Sequence, residues 1–119
     1  MTFNPKVEAE VAAGVKFVRS APKLMDIFEE VSSVYKAGRM DMMSFRRYAH
    51  VVEARDAFYW CARTLTPRTY VEIGRFFGGR DHTTVWEGVA RVSRRFDSHK
   101  DRLAKVVARF GIDIGDLQP

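Results

Sequence analysis

The 119 residues carry 20 Lys+Arg against 15 Asp+Glu, a net charge of +5, with 46% apolar and 29% charged positions. This is globular composition at single-domain length, with no apolar run near the roughly 18 residues of a membrane span. Cys61 is the single cysteine, which excludes an intrachain disulfide and a thiolate metal cage. Met1-Thr2-Phe3-Asn4-Pro5-Lys6 lacks the basic-then-apolar layout of a signal peptide, so the expected location is cytoplasmic. A basic balance in a small domain favours polyanionic partners, nucleic acid above all.

Taken in chain order, apolar residues recur at helical spacing and the alternation of strands is missing, so the chain reads as all-α. Asn4-Pro5 can open a first helix to about Arg19, with Val7, Val11, Val15 and Val18 on one stripe. Gly14 in its middle costs about 1 kcal/mol relative to Ala. Pro22 starts a second helix carrying Leu24, Ile27, Phe28, Val31 and Tyr35, closed by Lys36-Ala37-Gly38 with the glycine as C-terminal stop. A short turn of helix around Asp41-Met42-Met43 precedes the irregular basic stretch Ser44-Phe45-Arg46-Arg47-Tyr48-Ala49-His50. A strong helix from about Val52 to Leu65 turns Ala54, Ala57, Phe58, Cys61 and Leu65 inward and ends at Thr66-Pro67. A short helix over Thr69 to Phe77 follows, and Gly78-Gly79-Arg80 breaks the pattern. Asp81 is placed to cap a helix running to about Phe96, with Val85, Val89 and Val92 on its buried stripe. Ser98 is the expected cap of a last helix packing Leu103, Val106, Val107 and Phe110, stopped by Gly111. The expected organisation is an N-terminal amphipathic arm over 1–22, a domain over 23–111 and a flexible tail over 112–119.

Two helices joined by a short glycine-containing turn are the sequence form of a helix-turn-helix. The first turns of its second helix are where base edges are read. Asp81, His82, Thr83 and Thr84 are four consecutive polar residues at that place. His82 and Thr83 can donate to or accept from purine N7/O6 or thymine O4, and Asp81 can accept from a cytosine amino group. Asp81 also serves as a plain N-cap, a role compatible with DNA contact. Around this element stand Arg46, Arg47, Arg75, Arg80, Arg91, Arg94 and Arg95, a coherent phosphate footprint although each alone reads as solvated decoration. Asp81, His82 and His99 lack metal-ligand spacing, and no nucleophile has a partnered base, so neither a metal, a cofactor nor an enzymatic activity is expected.

The stretch Glu72-Ile73-Gly74, then Phe77-Gly78-Gly79-Arg80-Asp81-His82-Thr83-Thr84-Val85, resembles the signature of the C-terminal DNA-binding domain of DnaA, the bacterial replication initiator. A weaker similarity runs from about Lys23 to about Gly111. The resemblance implies an all-α, Trp-repressor-like helix-turn-helix bundle of about six helices, with Asp81, His82 and Thr83 reading bases and Thr84 touching base or phosphate. It further implies backbone contacts from Arg91 and Arg55, and entry of Arg47 into the minor groove from the basic loop. Val71 stands where the family carries proline, and Trp86-Glu87-Gly88 replaces a more polar and basic patch. No Gly-x-x-x-x-Gly-Lys-Ser/Thr loop occurs in the 119 residues. The expectation is therefore a stand-alone regulator of transcription on double-stranded DNA, resembling small phage or gene-transfer-agent activators. Its first helix would serve as a contact for RNA polymerase or a co-activator, or simply pack on the domain. The alternatives are a replication modulator competing for initiator boxes and a protein-interaction module that has lost DNA binding.

Overall fold

The computed structural model describes residues 21–117, and the expected first helix lies outside them. Six α-helices are present among the described residues: α1 (Leu24–Tyr35), α2 (Arg39–Met43), α3 (Ala49–Leu65), α4 (Tyr70–Phe76), α5 (His82–Arg94) and α6 (Phe96–Ala108). A short 3-10 turn follows at Ile114–Leu117, and no strand is described. No described helix is long and apolar enough to cross a membrane.

Helix α3 is the axis of the bundle, with every other α-helix packed against it. Its run Ala54 to Ala62 is buried on all sides, which a helix tolerates only at the centre of a fold. Phe58 meets Phe28 of α1 at 5.8 Å and Phe77 at 5.2 Å between ring centroids, at angles that avoid a face-to-face sandwich. Each such fully buried ring contributes about 1.5–3 kcal/mol through loss of apolar surface to water. Ile27 and Val31 of α1, Val85 and Val92 of α5, and Leu103, Val106 and Val107 of α6 complete this core.

Four boundaries differ from the expected ones, the first being the start of α3 at Ala49, within the stretch expected to be irregular, rather than at Val52. Helix α1 ends on Lys36 in the left-handed conformation (φ 56°), while Gly38 has ordinary extended geometry and precedes α2. The Ala37 N–H still closes back on the Ser32 carbonyl at 3.1 Å, so the turn forms at the expense of an L-residue where glycine is easier. Helix α5 gives way to α6 across the single residue Arg95, not at Ser98, because Phe96 must turn in against Trp60, 5.8 Å between centroids. The expected loose tail is folded over 112–117: Ile112 and Leu117 are buried, and the 3-10 turn packs on α6.

Candidate nucleic-acid interface

The helix-turn-helix is α4, its turn and α5, and each motif residue has a distinct mechanical task. The Thr69 hydroxyl accepts from the Glu72 N–H at 3.1 Å and the Glu72 carboxylate accepts from the Thr69 N–H at 2.9 Å, a reciprocal cap that starts α4. Those bonds hold the Glu72 carboxyl below its ordinary range. Ile73 and Phe77 fill the core beneath. The Gly74 carbonyl accepts from both Gly79 and Arg80 N–H groups, at 3.0 and 2.9 Å, drawing the turn back across the helix. A Cβ on Gly74 would lie 2.1 Å from the Arg80 carbonyl oxygen, so only glycine admits this crossing. Gly78 and Gly79 take φ of 75° and 82°, which glycine adopts without strain.

Asp81 caps α5 by accepting from the Thr83 N–H at 2.7 Å, which lowers its pKa. His82 Nδ1 stands 3.4 Å from the same carboxylate oxygen. His82, Thr83, Trp86 and Glu87 are exposed and, at three- and four-residue spacing, share one face of the helix. Thr84 is half-buried, turned towards the side on which Val85 meets the core.

The basic stretch lies beside the start of this helix because two arginines fasten it there. Arg55 is buried in α3, and its guanidinium donates to the carbonyls of Asp41, Met42, Ser44 and Arg46 at 2.7, 2.8, 2.6 and 2.5 Å. The resemblance implied a phosphate contact for Arg55; the structure instead spends its donors inside the protein, holding the loop. Burial and the nearby Arg80 both lower its pKa. Arg80 donates to the carbonyls of Ser44 (2.5 Å) and Met43 (3.3 Å), and its guanidinium lies over the rings of Phe45 and Phe77 at 4.5 and 5.6 Å. Arg80 thus joins turn and loop, a job its sequence position did not disclose.

Arg46 and Arg47 project from this fastened loop into solvent, Arg46 within 3.9 Å of Asp41 and Arg47 with no ion pair among the described residues. Tyr48 stacks on His50 at 6.3 Å. Arg91 is turned towards α3, where Asp56 accepts from its Nε at 2.8 Å and its Nη2 at 3.0 Å. Burial pushes the Asp56 carboxyl up while this pair pulls it back. Arg94 and Arg95 are exposed at the far end of α5, about 20 Å along the axis from Asp81 at 1.5 Å per residue. The structure therefore ties the loop that carries Arg46 and Arg47 to Arg80, the residue before the Asp81 cap, and leaves Arg94 and Arg95 as a separate basic end. Arg75 is exposed on α4.

Gly88 explains how α5 is seated. A Cβ there would lie 2.5 Å from Tyr59 Cδ2 and 2.8 Å from Asp56 Oδ1, so its absence lets α5 settle directly on α3.

Comparison with known proteins agrees with this construction. The family model for the bacterial dnaA protein helix-turn-helix matches residues 24–92. The chromosomal replication initiator proteins DnaA of Rhodopseudomonas palustris (strain BisB5), Bradyrhizobium sp. (strain BTAi1) and Nitrobacter hamburgensis are each 47% identical over 70 residues. That segment is 59% of this chain and 15% of each relative's length. With a capped Glu-Ile-Gly helix, a two-glycine turn and an Asp-His-Thr-Thr helix start in one continuous match, the chain belongs to the bacterial DnaA helix-turn-helix family and carries its DNA-binding domain.

Proposed function

We propose that this protein is a sequence-specific reader of double-stranded DNA acting as a transcription regulator. One observation carries the reading: the loop bearing Arg46 and Arg47 accepts hydrogen bonds from Arg80, the residue preceding the Asp81 cap. A cationic element and a polar helix start are thereby offered to one ligand. In this reading α5 lies in the major groove. Asp81, His82 and Thr83 address base edges, and Thr84 a base or the adjacent phosphate. Trp86 and Glu87 continue that face by one turn, an aromatic surface and an acceptor where the family is more polar and basic. Arg46 and Arg47 take phosphates or the neighbouring minor groove, Arg94 and Arg95 take phosphates further along, and Arg91 acts from its pair with Asp56. Arg55 serves the same surface indirectly, by shaping the loop.

RNA polymerase or a co-activator is the proposed protein partner, through the segment ahead of α1, and the nucleoid the proposed location. A second reading, competition for initiator boxes, is favoured by the 47% identity to replication initiators over 70 residues.

Selection of preferred duplexes from random DNA, run in parallel with His82→Ala, tests the proposal. An enriched motif that the variant loses at one or two base pairs is the expected result, a discrimination of about 1–3 kcal/mol. Enrichment that survives in His82→Ala would reject α5 as the reader. Mapping the motif to promoters supports the regulator; mapping it to an origin supports the competitor.

A further inference from the structure

We infer that Phe45 is a wedge that enters the minor groove beside the base pairs read by α5 and unstacks one base step there. The inference rests on the DNA-reading role proposed above. Phe45 is 82% exposed, a large apolar ring that the fold leaves in water. Its backbone is nonetheless fixed on both sides. The Ser44 carbonyl accepts from Arg55 and Arg80, the Arg46 carbonyl accepts from Arg55, and the Arg46 N–H donates to Ser44 Oγ at 3.1 Å. Ser44 Oγ in turn donates to the Asp41 carbonyl at 2.7 Å. Arg80 covers part of the ring at 4.5 Å and leaves the rest free.

An apolar group held this firmly loses little conformational freedom on binding, which favours a wedge over an incidental exposed residue. The charge around it selects the ligand. Arg46 and Arg47 are exposed next to it in the chain and Arg80 lies against it. A polyanion neutralises that set, whereas an apolar protein surface would have to desolvate it. Placement selects the groove. The loop lies beside the residue that precedes the cap of α5, so with α5 in the major groove it overlooks the bounding phosphate strand and the minor groove beyond. Apolar side chains inserted between base steps from that side kink duplexes by about 20–90°. Pyrimidine–purine steps unstack most easily, so a TA or CA/TG step is the expected target under Phe45.

The test uses the full chain and the duplex it selects from random DNA, with 2-aminopurine at the step facing the loop and donor and acceptor dyes at the duplex ends. Wild type should raise the 2-aminopurine fluorescence and bend the duplex. Phe45→Ala should keep the preference under His82 and Thr83, lose both signals and bind about tenfold more weakly, within the range of one lost base–aromatic contact. Phe45→Leu should keep most of the bend, since an apolar wedge does not need a π-face. Replacing the step by AA should weaken wild type and leave Phe45→Ala unaffected. A wild-type complex that selects its site without bending it overturns the wedge and leaves the DNA reading intact. Equal bending by Phe45→Ala, or a loss in Phe45→Leu as complete as in Phe45→Ala, also overturns it, the latter by showing that support of Arg80 is what matters. Failure of wild type to select any duplex overturns wedge and DNA reading together and points to a protein partner.

Discussion

Replacing Gly88 by alanine sets two effects of opposite sign against each other. Alanine is the better helix former by about 0.8–1.0 kcal/mol, so propensity alone predicts a more stable protein. The crossing of α5 over α3 predicts the reverse. The new methyl would start 2.5 Å from Tyr59 Cδ2, about 0.9 Å inside the 3.4 Å at which ordinary contact begins. Tyr59 has no room to retreat, because its buried ring lies 5.2 Å from Phe77 and 6.1 Å from Phe58. Asp56, the second obstacle at 2.8 Å, is bonded to Arg91 and moves only by loosening that pair. Overpacking of this kind costs about 1–3 kcal/mol, and the disturbed Asp56–Arg91 pair adds about 1 kcal/mol. After the propensity gain, Gly88→Ala should destabilise by about 1–3 kcal/mol. Urea unfolding followed by circular dichroism reads this directly, as a lower midpoint at unchanged slope. A midpoint equal to or above that of wild type would refute the close-crossing argument. Gly88→Ala combined with Tyr59→Leu should lose less than the two changes separately, since the shorter side chain removes the clash.

Four further outcomes are expected. The buried Tyr59 hydroxyl has no hydrogen-bond partner among the described residues, and burial pushes its pKa up to about 12. Tyr59→Phe should therefore raise stability by about 1 kcal/mol in the same assay, and a loss would show the hydroxyl to be satisfied. His99 Nδ1 lies 2.7 Å from the Tyr35 hydroxyl, and burial, with Arg102 acting in the same direction, depresses the His99 pKa. Unfolded chains bind that proton near pH 6.5, so the contribution of neutral His99 is intact above about pH 7 and declines as pH falls through the folded pKa. His99→Gln should flatten the thermal-stability profile between about pH 7 and 5, and a profile identical to wild type would exclude His99 as the cause. Arg55→Lys keeps the charge but not the fork. It should lower stability by about 2 kcal/mol and speed hydrogen exchange of the amides over residues 41–46; unchanged protection would refute the clamp. Arg47→Ala should reduce the slope of log affinity against log salt by about 1, and an unchanged slope would remove Arg47 from the DNA contact.

What was legible in the sequence was whatever local chemistry decides. Asp81 announced a helix start because a short carboxylate reaches its own next-but-one N–H, and Gly78-Gly79 announced a break because few other residues take positive φ. Periodicity found the core of α3 and the buried stripe of α5 for the same reason. The missed features depend on residues distant in the chain. Arg55 has a DNA-backbone contact only by resemblance until α3 brings it under the carbonyls of residues 41–46, and no spacing rule says that its donors are used inward. Gly88 looks like a weak point of a helix until Tyr59 occupies the space of the missing methyl. Lys36 in place of glycine at the end of α1, and Ile112 and Leu117 returning to the core, were hidden likewise: tertiary packing outweighed local preference. Within the candidate site, the polar helix start was visible in advance and the bracing of the loop was not.

The double tie from Arg80 to Ser44 and Met43 has a consequence for the DNA rather than for the protein. A tether of flexible chain would let loop and helix find their contacts separately. A brace fixes the distance between them, and the duplex must match that distance in its own units. One extra base pair between the two contacted stretches advances the second by about 3.4 Å and rotates it by about 34°. Fixed elements cannot follow such a screw motion. On the proposed reading, then, the protein acts as a gauge with both jaws locked, recognising the phase between two short sequences as strictly as either sequence.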